Sequence, residues 1–145
     1  MNRKLLTIST AAAVLAGAAL AHSEVQNEDV KARMDLMKDL RDNFGALAGM
    51  AQGKTDFDAD VAQASQLAVI GIAGKIPSTF EAEAMDPESE ASPDIWTNWS
   101  DFVANAEALE VAAEGLDPSS LDTLKAGFGS VAGTCGTCHK AFRVK

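Results

Sequence analysis

The run DPSSLDTLKAGFGSVAGTCGTCHKAF, residues 117–142, decides how the chain is read. Its apolar positions are Leu121, Leu124, Phe128, Val131, Cys135, Cys138 and Phe142, spaced by three and four. That spacing is one face of an amphipathic helix. Asp117-Pro118 supplies a cap residue followed by Pro, so the helix is expected to open there. Both cysteines lie on the apolar stripe, so whatever they hold is expected to lie inside the fold.

Cys135-Gly136-Thr137-Cys138-His139 matches C-x-x-C-H, the attachment motif of c-type haem. Two thiols at i and i+3 of a helix project to one side. They can form thioethers with the two vinyl groups of a porphyrin. The adjacent His139 then brings an imidazole nitrogen to the iron as an axial ligand. Three other readings of the cysteines compete. A thioredoxin-like pair belongs to a βαβ setting, and no strand pattern is present. A structural zinc needs four ligands, and the other histidine is His22, far upstream. Consecutive turns of one helix place two thiols poorly for a disulfide.

Working outward, three more periodic segments precede this one. Residues 27–50 carry Val30, Met34, Met37, Leu40, Phe44 and Leu47, with Ala51 following, in helical steps. Gly53-Lys54-Thr55-Asp56 reads as a loop. From Asp58 to Ile76 a stripe of Val61, Ala64, Ala68, Ile72 and Ile76 is expected to be buried, widened by Leu67 and Ile70, with Pro77 as the stop. The acidic stretch between Pro77 and Pro93 is long for a connection and is expected to be a functional loop or a crossover. Ser92-Pro93-Asp94 starts the third segment, whose stripe is Ile95, Trp99, Phe102, Ala106, Leu109 and Ala113, ending at Gly115. Trp96 and Trp99 are expected in the core. Four such helices with mostly short connections imply an all-α fold, an antiparallel four-helix bundle with the haem inside near the C-terminal helix. A less regular all-α fold is the alternative.

The N-terminus has a different character. Asn2-Arg3-Lys4 is a basic start, Leu5 to Leu20 is apolar without an acidic residue, and Ala19-Leu20-Ala21 fits the cleavage rule. Residues 1–21 are therefore expected to be a cleaved secretory signal, with an uncleaved anchor or a buried helix as the alternatives. Residues 22–145 are then a single domain. The 145-residue chain has 12 Lys+Arg and 21 Asp+Glu. Without Arg3 and Lys4 its formal charge is −11. Such an acidic protein is not expected to bind nucleic acid. Redox partner proteins, if any, would present basic patches.

The C-terminal haem motif, the Pro-Asp-Ile-Trp start at Pro93 to Trp96, and Arg33-Met34-Asp35-Leu36-Met37 in the first segment together resemble a class II c-type cytochrome, specifically cytochrome c′. The resemblance covers essentially the whole exported chain. It implies a homodimer of four-helix bundles, each with one haem c bound through Cys135 and Cys138 and a five-coordinate iron on His139. It implies Met37 as the residue that closes the distal side and Arg33 as the contact of a haem propionate. Met34 would also touch the haem, Glu90 would contact it from the loop, and Arg143 would lie on the proximal face. The residues themselves leave simpler readings open. Arg33 can be a surface charge paired with Asp29, Met34 and Met37 can be core residues, and Glu90 can be a solvated loop charge.

Met37 divides the functional reading. Low-spin relatives in class II use a methionine at this point as a sixth ligand, so the thioether either reaches the iron or blocks it. Arg33 favours the five-coordinate form. The chain is thus expected to be a periplasmic haem protein that binds small diatomic gases (NO, CO), transfers single electrons, or both. The alternative is a six-coordinate His139/Met37 electron carrier, and a haem-free helical protein is a third class. There is no carboxylate dyad in a plausible pocket, phosphate loop or nucleophile with a base, so enzymatic activity is not expected. Ala46, Ala48 and Ala64 on outer helix faces would permit a dimer.

Overall fold

The computed structural model describes residues 25–144. The sequence reading of residues 1–21, and the role of His22, lie outside these residues. Six helices follow in order: α1 (Glu28–Ala51), α2 (Ala59–Ala73), α3 (Ile76–Phe80), α4 (Asp94–Thr97), α5 (Trp99–Glu114) and α6 (Leu121–Phe142). The four long ones, α1, α2, α5 and α6, form an antiparallel bundle in which α1 meets α2, α2 meets α5, α5 meets α6 and α6 returns to α1.

Local chemistry sets the helix ends. The Asn27 side chain accepts from the Val30 N–H at 3.1 Å and opens α1, with Glu28 and Asp29 in the first turn where the helix dipole favours anions. Asp58 accepts from Asp60 and Val61 to open α2. Between them Gly53 takes φ +69°, a left-handed conformation that glycine adopts without a Cβ penalty.

Three expected boundaries are corrected. Pro77 does not stop α2. That helix ends at Ala73, and Pro77 sits in the first turn of α3, where a missing N–H leaves no helical bond unmade. The third segment is not one helix. Asn98, at φ −122° and ψ 45°, separates the single turn α4 from α5. Asp117-Pro118 does not open the last helix either. Asp117 accepts from the Ser119 N–H at 2.9 Å in a turn of its own. Ser120 is the cap of α6, with Thr123 completing a reciprocal capping box.

The core contains Leu40, Leu47, Met50, Val69, Ile95, Phe102, Leu109, Leu124, Val131 and Phe142, all buried. Each large side chain removed from water contributes about 2 kcal/mol before entropy is counted. Phe102 is the hub of an aromatic cluster, with ring centroids 5.2 Å from Phe80, 5.5 Å from Trp99 and 5.4 Å from Phe142. Phe44 stacks on Phe128 at 4.9 Å and links α1 to α6. Trp96 and Trp99 are half-buried against this core.

The inward row of α2 differs from the expected one. The helix buries Ala62, Ser65, Gln66, Val69 and Ala73, whereas Val61 and Leu67 are 47 % and 60 % exposed. Gln66 explains the rotation. Its Nε2 donates to the carbonyls of Ala113 at 2.8 Å and Leu116 at 2.6 Å where the chain leaves α5, the Ala113 carbonyl also accepting from the Leu116 N–H at 3.3 Å. A polar residue was needed inside, and the hydrophobic count went round the other way.

Candidate functional site: a haem cavity between α1 and α6

α6 runs unbroken through the C-x-x-C-H segment, so Cys135 and Cys138 lie one turn apart on the same side of a helix. Both are half-buried against the core and unbridged. Burial pushes the Cys138 thiol up to about 11, with Cys135 beside it adding to the effect, and raises Cys135 as well. These are neutral thiols in an apolar wall. A thiolate nucleophile or a zinc-binding pair needs the opposite environment. His139 is shifted downward by burial first and by the Arg143 charge second, with Glu90 opposing. The neutral imidazole is the form that ligates a metal.

These three residues open onto a cavity of about 780 Å³. Met37, Leu40 and Phe44 of α1, Phe80 of α3, Ile95 of α4, Phe102, Ala106 and Leu109 of α5 and Phe142 of α6 contribute to its lining. Charged residues join them: Arg33, Asp35, Lys38, Arg41, Glu88, Glu90 and Arg143. The cavity therefore combines an apolar interior with ionic groups, which suits a flat apolar macrocycle carrying carboxylates.

Each candidate from the sequence can now be located. Arg33 is buried, at 2 % exposure, and makes no salt bridge to the Asp29 carboxylate, whose charge acts on it only through space. Its Nε donates to the Asp29 carbonyl at 3.3 Å, and its Nη2 donates to the carbonyl of Ala84 in the acidic loop. Its Nη1 is buried without a hydrogen-bond partner. A buried, charged nitrogen left in this state is expensive unless an anion completes it. A haem propionate fits that requirement. Met37 is half-buried on the cavity wall, while Met34 also lines the cavity but is 41 % exposed. Glu90 and Arg143 meet each other: both Nε and Nη2 of Arg143 donate to Glu90 Oε2.

That ion pair belongs to a strap. The Ser92 N–H donates to the Phe142 carbonyl and the Val144 N–H to the Glu90 carbonyl, both at 2.9 Å, around an antiparallel bridge of Ala91 with Arg143. At its other end the Gln26 N–H donates to Asp86 Oδ2 at 3.0 Å. The acidic connection between α3 and α4 thus ties the start of α1 to the end of α6 and brings Glu88, Ser89, Glu90 and Ala91 to the cavity. Sequence reasoning missed Phe80, Leu40, Ala106 and the Ala84 carbonyl as parts of this site. They were read as core or loop, and no local pattern announces that they converge.

The comparisons with known proteins agree with this geometry. The profile of the family described as Cytochrome C′ matches residues 28–143. A cytochrome c-556 from Agrobacterium fabrum is 34 % identical over 149 aligned positions, covering 100 % of this chain and 99 % of that one. The solved structure of cytochrome c′ from Rhodopseudomonas palustris superposes with a TM-score of 0.76 at 30 % identity, covering 83 % of this chain and 98 % of the other. The nitric oxide complex of a cytochrome c′ mutant from Alcaligenes xylosoxidans superposes at 0.70 and 26 % identity, covering 81 % and 94 %.

Proposed function

The chain belongs to the cytochrome c′ family and carries one haem c on Cys135 and Cys138, and from that premise we propose that it is a periplasmic haem protein whose iron is held by His139 and faces Met37. The observation that carries the reading is the Arg33 guanidinium: buried, charged and with Nη1 unpartnered, on a cavity that Cys135, Cys138 and His139 also line. One haem propionate completes Arg33. Haem supplies an iron that exchanges single electrons and binds small ligands.

Around that iron the chain's residues do the selecting. Met37, Leu40 and Phe44 give α1 an apolar stretch of wall beside its charged Arg33, Asp35, Lys38 and Arg41, and that stretch suits small neutral diatomics such as NO and CO. The nitric oxide complex of the Alcaligenes protein supports this direction. The second reading has Met37 as sixth ligand and the protein as an electron carrier. It is favoured by a thioether on the cavity wall and by full-length likeness to a protein named cytochrome c-556. Redox partners would then be drawn by the acidic surface.

Absorbance spectra of oxidised, reduced and CO-treated holo-protein separate the two. The five-coordinate reading expects a high-spin reduced spectrum that changes on adding CO. A low-spin reduced spectrum indifferent to CO would refute it. For the carrier, Met37→Ala must turn the spectrum high-spin and move the potential; no change in either rules it out.

Export rests on residues 1–21 as a cleaved signal, which N-terminal sequencing of the secreted protein tests through the expected start at His22. No helix among the described residues is long and apolar enough to cross a membrane. We also propose a homodimer through the outer face of α2. Val61, Ala64 and Leu67 are exposed there, and the half-buried Ala46 and Ala48 stand on the neighbouring α1.

A further inference from the structure

Arginines are almost never fully buried unless paired. Arg33 takes part in no ion pair among the described residues, yet it is one of the least exposed side chains in the molecule. It is held in another way. Its guanidinium carbon lies 5.4 Å from the centroid of the Phe80 ring and 5.2 Å from that of Trp96. Phe80 comes from α3 and Trp96 from α4, so two elements on either side of the acidic loop contribute one ring each. The indole Nε1 of Trp96 donates to the Phe80 carbonyl at 2.9 Å, which ties the two ring-bearing segments together. The Ala84 and Asp29 carbonyls take two of the remaining N–H directions.

We infer that Phe80 and Trp96 form an aromatic cage that positions Arg33, and that Trp96 is a positioning residue for the haem carboxylate although it does not itself line the cavity. The inference rests on the reading of Arg33 as the propionate contact. A carboxylate partner from the chain would satisfy the guanidinium but would also neutralise it. Aromatic faces attract a desolvated cation without cancelling its charge, and carbonyls fix its plane while leaving the net charge intact. The positive charge is therefore kept for an anion that arrives with the cofactor. The cage also explains why the long connection between α3 and α4 is tied down at several points. Displacement of either end would separate the rings.

The test uses holo-protein and two readouts that simple packing does not move: the propionate-bending band in resonance Raman spectra and the midpoint potential at fixed pH. Arg33→Ala should shift the propionate band and lower the potential, because a positive charge near the haem disfavours the oxidised iron. Trp96→Leu should shift both in the same direction by a smaller amount, and Trp96→Phe, which keeps a ring, should recover most of the difference. Where Trp96→Leu does not yield holo-protein, Phe80→Leu carries the same expectation. If Arg33→Ala moves both readouts and the ring variants leave them at wild-type values, the cage is wrong and the propionate contact stands. If Arg33→Ala moves neither, the propionate contact itself is wrong and the cage falls with it.

Discussion

Gln66 and Arg33 are polar side chains buried in an otherwise apolar bundle, and each is there for a different reason. Gln66 serves the fold. It satisfies two carbonyls at the end of α5 from a helix on the other side of the interface. Gln66→Leu should lower the unfolding free energy of the holo-protein by about 1–3 kcal/mol, because the Leu116 carbonyl loses the Gln66 donor and the Ala113 carbonyl is left with the Leu116 N–H. Urea titration followed by far-UV circular dichroism measures this, and the haem spectrum should not change. Arg33 lines the cavity, and its Nη1 is buried without a hydrogen-bond partner. The resemblance to cytochrome c′ singled out Arg33 and Met37, their four-residue spacing gives them one helix face, and both line the cavity. Nothing local to residue 33 predicted the rings of Phe80 and Trp96 around it, which lie 47 and 63 positions further along.

At the scale of elements, α6 carries the chemistry and its first turn fixes its start. The Ser120–Thr123 box satisfies two N–H groups reciprocally. Ser120→Ala should cost about 1 kcal/mol, seen as a lower thermal midpoint with an unchanged spectrum. The same helix needs a small residue at Gly127, where a Cβ would lie 2.8 Å from Leu116 Cδ1. The stripe of α6 was legible from period alone, since Leu124, Val131 and Phe142 are buried and Cys135 and Cys138 pack on the core. The stripe of α2 was not. Its interior face is built from Ala62, Ser65, Gln66 and Val69, so apolar periodicity selected the wrong side. The cap-plus-Pro signal at Asp117 failed for a related reason. It describes a turn equally well, and the better box lay three residues on.

The whole molecule joins an acidic surface to a cavity whose charged lining carries both signs, with Asp35, Glu88 and Glu90 among the basic groups. Arg33, Lys38, Arg41 and Arg143 all line it. The α2 outer face leaves Leu67 and Val61 in water, more apolar surface than an isolated helix face needs. Leu67→Glu should therefore shift sedimentation velocity from dimer to monomer while leaving the absorbance spectrum as it is. A wild-type protein that sediments as a monomer at micromolar concentration would remove the basis of the dimer.

A helical bundle that attaches haem is legible in the chain alone, because periodicity and a five-residue covalent motif are local properties. Arg33 and Met37 came to notice through the resemblance to cytochrome c′, the residues themselves leaving a surface charge and a core methionine open. Packing set which face of α2 is inside, how the acidic loop meets α6 through Glu90 and Arg143, and what surrounds Arg33. Those depend on groups far apart in the chain meeting in a low-dielectric interior, where an unpaired nitrogen or carbonyl outweighs several apolar contacts. The C-x-x-C-H segment thus states that a haem is present, and the wall opposite it is assembled from α1, α3, α4 and their loop, from side chains far apart in the sequence.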